Sequence, residues 1–301
     1  MNPSLEHIDV FIAVVDSGSF SAAARRLNRA QSAVTYAVQK LEEEMGVALF
    51  DRSGQRPILT EIGRSLLPYA RRAADDVSAL RLRAAALAEG VESEVSIVTD
   101  TMFPEPTVVE ALRAFADAFP HTTLRISEDT LGAAAQLVLN DQCQLGLLGP
   151  VVRNLRDLEY RPLLSIELVP VVAPQHPLAA ATSEIPNDII NKYLQLVLAD
   201  KAGFMAGQNF NILSTHVWML TDLSVKRRLI EAGIGWGSLP LHSIAQQLND
   251  GALVRIRPAE WGGPNGSTAL PMYIAHRRSA RLGPAATWLI NYIAERTAVG
   301  A

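Results

Sequence analysis

The sequence has a single cysteine, Cys143, in 301 residues. One thiol excludes an intramolecular disulfide framework and fits a reducing compartment. Although 49% of the residues are hydrophobic, no unbroken apolar run is long enough to span a bilayer. The amino terminus, MNPSLEHIDV, has no basic patch ahead of an apolar core, so no secretory signal is expected and the chain is placed in the cytoplasm. Catalytic signatures are missing too. There is no G-x-x-x-x-G-K-[ST] phosphate loop, no H-E-x-x-H zinc helix and no G-x-S-x-G elbow. The run Gly233-Ile234-Gly235-Trp236-Gly237-Ser238 fails the dinucleotide fingerprint at its sixth position and reads as close helix–strand packing. The six histidines are scattered without metal-ligand spacing. Cys143, Trp218 and Trp236 read as packing residues. The expectation is no enzyme, no cofactor and no metal.

One further absence is local and informative. No acid occurs between Gly18 and Glu42, while Arg25, Arg26, Arg29 and Lys40 lie there. The net charge of −4 is therefore unevenly spread, with the surplus of acids after Gly90. A basic excess confined to one stretch suits a phosphate backbone. In that stretch Ala22, Ala23, Ala24 and Leu27 make one small helical face, and Leu27-Asn28-Arg29-Ala30 breaks it, Asn28 tolerating a left-handed conformation. A second helix is predicted from about Gln31 to Glu44, with Ala33, Val34, Ala37, Val38 and Leu41 as its apolar stripe. Gln31, Ser32, Thr35, Tyr36, Gln39 and Lys40 fall on its other faces and are long or polar enough to reach base edges in a major groove. Upstream, Leu5, Ile8, Phe11, Ile12 and Val15 predict another helix, closed by Ser17-Gly18. Downstream, Leu49 to Thr60 reads as a hairpin around Gly54, with Arg52 and Arg56 on it. Three helices and a basic wing make a winged helix-turn-helix.

These residues resemble the amino-terminal domain of LysR-type transcriptional regulators. The resemblance is carried by Phe11, Ser19-Phe20-Ser21, Ala22-Ala23-Ala24, Leu27, Gln31-Ser32-Ala33-Val34-Thr35, Leu41-Glu42, Gly46, Leu49-Phe50-Asp51-Arg52, Thr60 and Gly63. It implies a sequence-specific regulator of transcription that binds double-stranded promoter DNA, with RNA polymerase a further candidate partner. Gln31, Ser32, Thr35 and Tyr36 would face the major groove, with Gln39 and Arg29 beside them, and Ser21, Arg52 and Arg56 would hold phosphates. Two positions depart from the family. Ala30 stands where Ser or Thr usually caps the recognition helix, omitting roughly 1 kcal/mol. Tyr36 stands where Gln or Arg is more usual.

From Thr60 to about Ala88 a long helix is predicted. Leu66, Ala70, Ala73, Val77, Leu80, Ala84 and Leu87 recur at alternating spacings of 4 and 3. That is a heptad seam, and the charged outer positions favour a second chain over packing within the same domain. A homodimer or homotetramer is expected. Pro68 should bend this helix or set off its early part. After Glu94 strand and helix signals alternate: strands at 95–99, 123–127, 144–149, 168–173, 194–199, 211–214 and 234–240, helices at 104–119, 131–140, 185–192 and 223–232, and a linker at 258–264. The last strand, 270–275, and helix, 285–296, are expected to return to the first half. The resemblance extends here through Ala118-Phe119-Pro120, Gln144-Leu145-Gly146-Leu147-Leu148, His176-Pro177-Leu178-Ala179 and Glu231-Ala232-Gly233-Ile234-Gly235 with Leu239-Pro240.

The expected fold is thus α/β overall: a winged helix-turn-helix over 1–59, a linker helix over 60–90, and a two-lobed effector domain over 91–301, like a periplasmic binding protein. Lobe 1 takes 91–162 and 267–301, and lobe 2 takes 163–266. A small effector is expected in the cleft between them, at the carboxyl ends of strands. The segment Thr99-Asp100-Thr101-Met102 is its expected floor, since free N–H groups gather where a helix starts near Pro104. Gly149, Lys201 and Phe204 complete the candidate set. Asp100 either caps a helix or faces Lys201 across the cleft, selecting a polar or zwitterionic ligand. A solute-binding protein without a DNA-directed role is the alternative, but it leaves the first ninety residues idle.

Overall fold

Thirteen residues of amphipathic sequence, Leu5–Ser17, form helix α1, the first element of a computed structural model that describes residues 3–51, 57–200, 202, 211–262 and 269–297. The chain divides into two units, Met1–Glu89 and Gly90–Ala301.

In the first unit α1 is followed by α2 (Phe20–Arg26), α3 (Gln31–Met45), strands β1 (Phe50–Asp51) and β2 (Ile58–Leu59), and α4 (Glu61–Ala88). The Ser19 hydroxyl accepts from the Ala22 N–H at 3.1 Å and so starts α2. Asn28, at φ 52°, turns the chain toward α3. The core joins Phe11 and Val14 of α1, Ala23 of α2, Val34, Val38 and Leu41 of α3, and Leu49 and Phe50 at the wing. The Phe50 ring meets Phe11 and Phe20 edge-on, at 5.6 and 5.5 Å. Ala33, expected in the apolar stripe, is exposed; the stripe that packs is Val34, Ala37, Val38 and Leu41. Glu42 fastens the wing, its Oε1 accepting from the N–H groups of Leu49 and Phe50 at 2.8 and 3.1 Å. Gly63 is needed for close approach, because a Cβ there would lie 2.2 Å from the Leu49 carbonyl oxygen.

Helix α4 starts at a Thr60 cap and runs unbroken through Pro68. Proline removes one donor, and the remaining ladder continues. Its first turns pack inward, with Leu66, Leu67 and Ala70 against the core of their own unit. Farther along, Leu80, Leu82 and Leu87 are 67%, 59% and 48% exposed. The predicted seam therefore changes character along its length: Leu66 and Ala70 pack on the core of their own unit, whereas Leu80 and Leu87 are exposed among the described residues.

The second unit is built on a mixed sheet in the order β4-β3-β5-β11-β6-β9-β7-β8, with β10 added on β6. Its strands are β3 (Glu94–Asp100), β4 (Thr123–Asp129), β5 (Leu145–Leu148), β6 (Leu158–Val172), β7 (Gln195–Leu198), β8 (Val217–Leu220), β9 (Trp236–Pro240), β10 (Val254–Arg255) and β11 (Ala269–Arg277). The helices are α5 (Glu105–Ala118), α6 (Leu131–Leu139), α7 (Asn187–Ile190), α8 (Leu223–Glu231), α9 (Leu241–Asn249) and α10 (Pro284–Thr297). Strand β6 joins the two halves. Its first part pairs with β11, and its end pairs with β9 and β10. One core centres on Ile97, Phe115, Leu145, Leu289 and Met272, another on Val169, Leu196, Ile230 and Leu239. Leu198 and Leu223 of the second half also pack on the first core, where the halves meet.

Several boundaries differ from expectation. The strand expected from Leu168 is the end of the much longer β6. The helix expected over 185–192 shrinks to α7, entered at Pro186. No strand forms at 211–214. That segment is held instead by one side chain: Gln195 Oε1 accepts from the N–H groups of Leu213 and Ser214, and its Nε2 donates to the Asn211 carbonyl. The strand lies at Val217–Leu220, and α9 and β10 were not anticipated. Within the expected linker, Pro258 bridges to Ile185, and the Trp261 ring meets Trp236 edge-on.

Candidate functional sites

The face of α3 opposite the core is open. Gln31, Ser32, Tyr36 and Gln39 are exposed and Thr35 is half-buried, its hydroxyl donating back to the Gln31 carbonyl at 3.0 Å. Tyr36 is 64% exposed, unusual for an aromatic residue that has a core beside it. Ala30 supplies no capping oxygen, so the first N–H groups of α3 have no side-chain acceptor. Ser21 accepts from Arg25 at 3.4 Å. The basic side chains are not idle. Arg29 donates to Glu6 at 2.6 Å, and Asp16 takes Arg71 at 2.6 Å and Arg26 at 3.6 Å. Lys40 is paired with Glu43 at 3.0 Å, which raises its pKa through a hydrogen bond and charge. Exposed ion pairs of this kind are weak and yield to phosphate. Arg52 and Arg56 lie outside the described residues.

A cleft of about 800 Å³ opens in the second unit. One wall comes from the end of β3, the start of α5 and strand β4, with Thr99, Thr101, Phe103, Glu105 and Glu128. The other comes from the starts of α8 and α9 and the end of β9, with Leu223, Ser224, Arg227, Leu239, His242 and Ser243. The cleft thus lies between the halves and carries acids on one wall and Arg227 on the other. Partial desolvation by its neighbours lowers the pKa of His242, although the residue is exposed overall.

Asp100 borders this cleft but is only 1% exposed. Its Oδ1 accepts from the Met102 N–H and its Oδ2 from the Leu131 N–H, both at 2.9 Å. It therefore caps α6, not α5, and holds Leu131 at φ 51°, a left-handed conformation uncommon for leucine. Burial pushes its carboxyl up to about 6, against the two N–H bonds, which pull it down. The expectation of free N–H groups at Thr101 and Met102 is not met. Thr101 N–H donates to the Asp129 carbonyl at 3.1 Å, Met102 N–H is held by Asp100, and α5 starts only at Glu105. Among the described residues, the Thr101 and Thr130 hydroxyls are sealed from solvent and have no hydrogen-bond partner. Met102 points into the core of the first half. Gly149 adjoins Asp100, a Cβ there lying 3.6 Å from Oδ2. Lys201 and Phe204 lie outside the described residues.

Leu223, Ser224, Arg227, Leu239, His242 and Ser243 are not among the cleft residues expected from the sequence, which took its second wall from Lys201 and Phe204. A signal for them existed: ligand clefts of open α/β sheets sit where strands end, and α8 and α9 directly follow β8 and β9. Without α9 in the expected fold, His242 and Ser243 had no place in it.

An exposed polar recognition helix with a wing, followed by a two-halved α/β unit around a cleft, defines a ligand-responsive DNA-binding protein. Residues 5–64 match the model of the bacterial regulatory helix-turn-helix protein, LysR family, and residues 88–298 match that of the LysR substrate binding domain. The chain belongs to the LysR family of transcriptional regulators. It is 29% identical over 293 residues to the probable HTH-type transcriptional regulator YhaJ of Escherichia coli K12, covering 96% of this chain and 95% of the relative. It is 30% identical over 257 residues to YeeY of the same strain, an uncharacterised HTH-type regulator, covering 84% and 83%. Among solved structures, a C206 mutant of Corynebacterium glutamicum OxyR shares the fold with a TM-score of 0.55 at 18% identity, covering 99% of this chain and 94% of that one. The protein is a DNA-binding transcriptional regulator modulated by a small-molecule effector.

Proposed function

We propose that Gln31, Ser32, Thr35, Tyr36 and Gln39 read base edges and that Ser21, Arg29, Arg52 and Arg56 hold phosphates. The open polar face of α3 supports the first group, and surface ion pairs that phosphate can displace support Arg29. The effector binds in the cleft, against Thr99, Thr101 and the opposite wall. The observation that carries this reading is a cavity of ligand size between the two halves, lined by Thr99 and Thr101 on one side and Ser224 and Arg227 on the other. Asp100 acts from behind that wall by fixing the loop. Met102 and Gly149 shape its backing, and Lys201 with Phe204 belongs to the same candidate set. Lobe 1 takes 91–162 and 267–301, lobe 2 takes 163–266, and ligand binding shifts the balance between open and closed lobes.

The chain works as a homodimer or homotetramer held by the exposed stretch of α4, with Ala73, Val77, Leu80 and Leu87 in the seam and Leu66 and Ala70 at its inner end. No helix among the described residues is long and apolar enough to cross a membrane, and DNA as partner supports a place in the cytoplasm. RNA polymerase is a further partner, and no catalytic activity belongs to the chain. A gel shift with DNA from upstream of its own gene tests the central claim: the complex should survive excess random DNA and change in mobility or affinity with a hit from a metabolite thermal-shift screen. Binding that random DNA removes completely would refute sequence-specific reading. Leu80→Lys should dissociate the oligomer in sedimentation, and a variant that stays dimeric at micromolar concentration moves the interface elsewhere.

A further inference from the structure

Helix α3 presents more than hydrogen-bonding groups on its open face. The core takes Val34, Ala37, Val38 and Leu41. At about 100° per residue, the direction opposite those four falls among Ser32, Tyr36 and Gln39. Ala33 flanks that face. It lies one helical turn before Tyr36, and so beside it, and is exposed. Tyr36 is 64% exposed, and its hydroxyl makes no hydrogen bond among the described residues. The Thr35 hydroxyl proton is committed to the Gln31 carbonyl, 3.0 Å away, so Thr35 has a methyl group and an oxygen lone pair left to offer. Lys40, one turn after Tyr36, is held by Glu43. The open face therefore joins polar side chains, Gln31, Ser32 and Gln39, to apolar surface from Ala33, Thr35 and Tyr36.

That apolar surface has one counterpart in a DNA major groove. Of the groups that distinguish the four bases there, only the thymine 5-methyl is apolar; the others are hydrogen-bond donors and acceptors. Alanine, the threonine methyl and aromatic rings are the side chains that meet this methyl by apolar contact. The same three kinds stand together on α3. A phenol hydroxyl, by contrast, is a single group at the end of a rigid ring and cannot make the paired bonds by which Asn, Gln or Arg fix one base. We propose that Tyr36, with Ala33 and Thr35 as lesser contributors, reads thymine in the operator through its 5-methyl group, by apolar contact and not by hydrogen bonding. This rests on the reading of α3 as the helix that enters the major groove. The polar side chains of α3 then select bases by their donor and acceptor pattern, and Tyr36 adds a preference for the methyl. Ring and methyl remove each other from water, and the gain for one methyl-sized group is about fourfold in affinity. An apolar contact releases no counterions, so this preference does not change with salt, as phosphate contacts do.

The test uses the full chain and a duplex that the protein selects from a random pool. Each thymine of that duplex is replaced in turn by deoxyuridine, which deletes the methyl and keeps every hydrogen-bonding group. At least one replacement should weaken the parent about fourfold, equally at low and high salt. Tyr36→Ala should bind the thymine duplex about fourfold more weakly and no longer distinguish thymine from deoxyuridine at that place. Tyr36→Phe should keep both the affinity and the distinction. At the same place 5-methylcytosine should bind the parent about fourfold better than cytosine. Tyr36 lies outside the core, so both variants should melt like the parent. A duplex with no sensitive thymine, a thymine that stays equally sensitive in Tyr36→Ala, or a Tyr36→Phe protein as weak as Tyr36→Ala overturns the inference. If Gln31→Ala, Ser32→Ala, Gln39→Ala and Tyr36→Ala all keep the base preferences of the parent, the reading of α3 itself fails, and this inference with it.

Discussion

Helix α3 and the cleft of the second unit treat polar groups in opposite ways. On α3, Gln31, Ser32, Tyr36 and Gln39 stand in water. In the second unit the Asp100 carboxylate, the Thr101 hydroxyl and Lys226 are withdrawn from water, the first bonded and the other two without partners among the described residues. An exposed side chain is free to change with its target because its loss leaves the core intact. A buried one must be satisfied by the fold or by a ligand. Function and stability are therefore separable in the first unit and coupled in the second.

The largest expected effect tests that coupling. Asp100→Ala leaves the N–H groups of Met102 and Leu131 unpaired and frees Leu131 from its left-handed conformation, and should destabilise the second unit by about 3 kcal/mol. Gln31→Ala should leave stability unchanged. Urea unfolding followed by circular dichroism reads both, and an Asp100→Ala protein as stable as the parent would erase the distinction.

The two buried charges also give opposite pH slopes. The folded carboxyl of Asp100 sits near 6 instead of the ordinary 3.8, so the native state holds its proton more tightly than the unfolded chain does. Its contribution is full below about pH 4 and is lost as pH rises through 6. Lys226 is the reverse, lowered from 10.5 to about 7. The unfolded chain binds the extra proton between those values, so stability climbs as pH rises from 7 toward 10 and is lost as pH falls through 7. Lys226→Met should raise unfolding stability at pH 6.5 by about 2 kcal/mol and flatten the climb. A climb that persists in the variant assigns the slope to another group.

On the DNA side the effects are smaller and appear only in binding. Gln31→Ala should cost roughly 1–3 kcal/mol at the cognate site and relax its base preference. Arg29→Ala should weaken cognate and random DNA alike and flatten the salt dependence by about one unit. Filter binding at several salt concentrations separates the two; identical losses on both DNAs for both variants would merge the roles. Smallest of all, Ala30→Ser restores a cap to α3 and should add about 0.5–1 kcal/mol to the stability of the first unit. A thermal scan that shows no gain would mean that those N–H groups already have acceptors.

Most of the first unit was legible before the fold was known. Asn28, Ser19, Gly18 and the stripe from Val34 to Leu41 are local signals, read within one or two turns of helix. Ala33 was misplaced because alanine carries too little apolar surface to declare its face. The bond from Glu42 to the wing was not legible, since a glutamate in a helix looks like a solvated one until Leu49 and Phe50 are folded back upon it. In the second unit the alternation of strands and helices came through, whereas the strand at 217–220 was assigned to 211–214, a segment whose N–H groups are taken by Gln195.

Sequence alone determined the elements whose information is contiguous: the recognition helix, its basic surroundings, the heptad seam and the family they define. Tertiary structure decided everything that depends on residues far apart in the chain meeting. Asp100 became a brace because Leu131 folds beside it. Leu66 and Ala70 turned toward their own core while Leu80 was left bare. Lys226, in sequence one more charged residue of Lys226-Arg227-Arg228, became a buried amine because Gly237 lacks a side chain. Burial is a property of the packed neighbourhood, and no local pattern encodes which of three adjacent cations the sheet will cover.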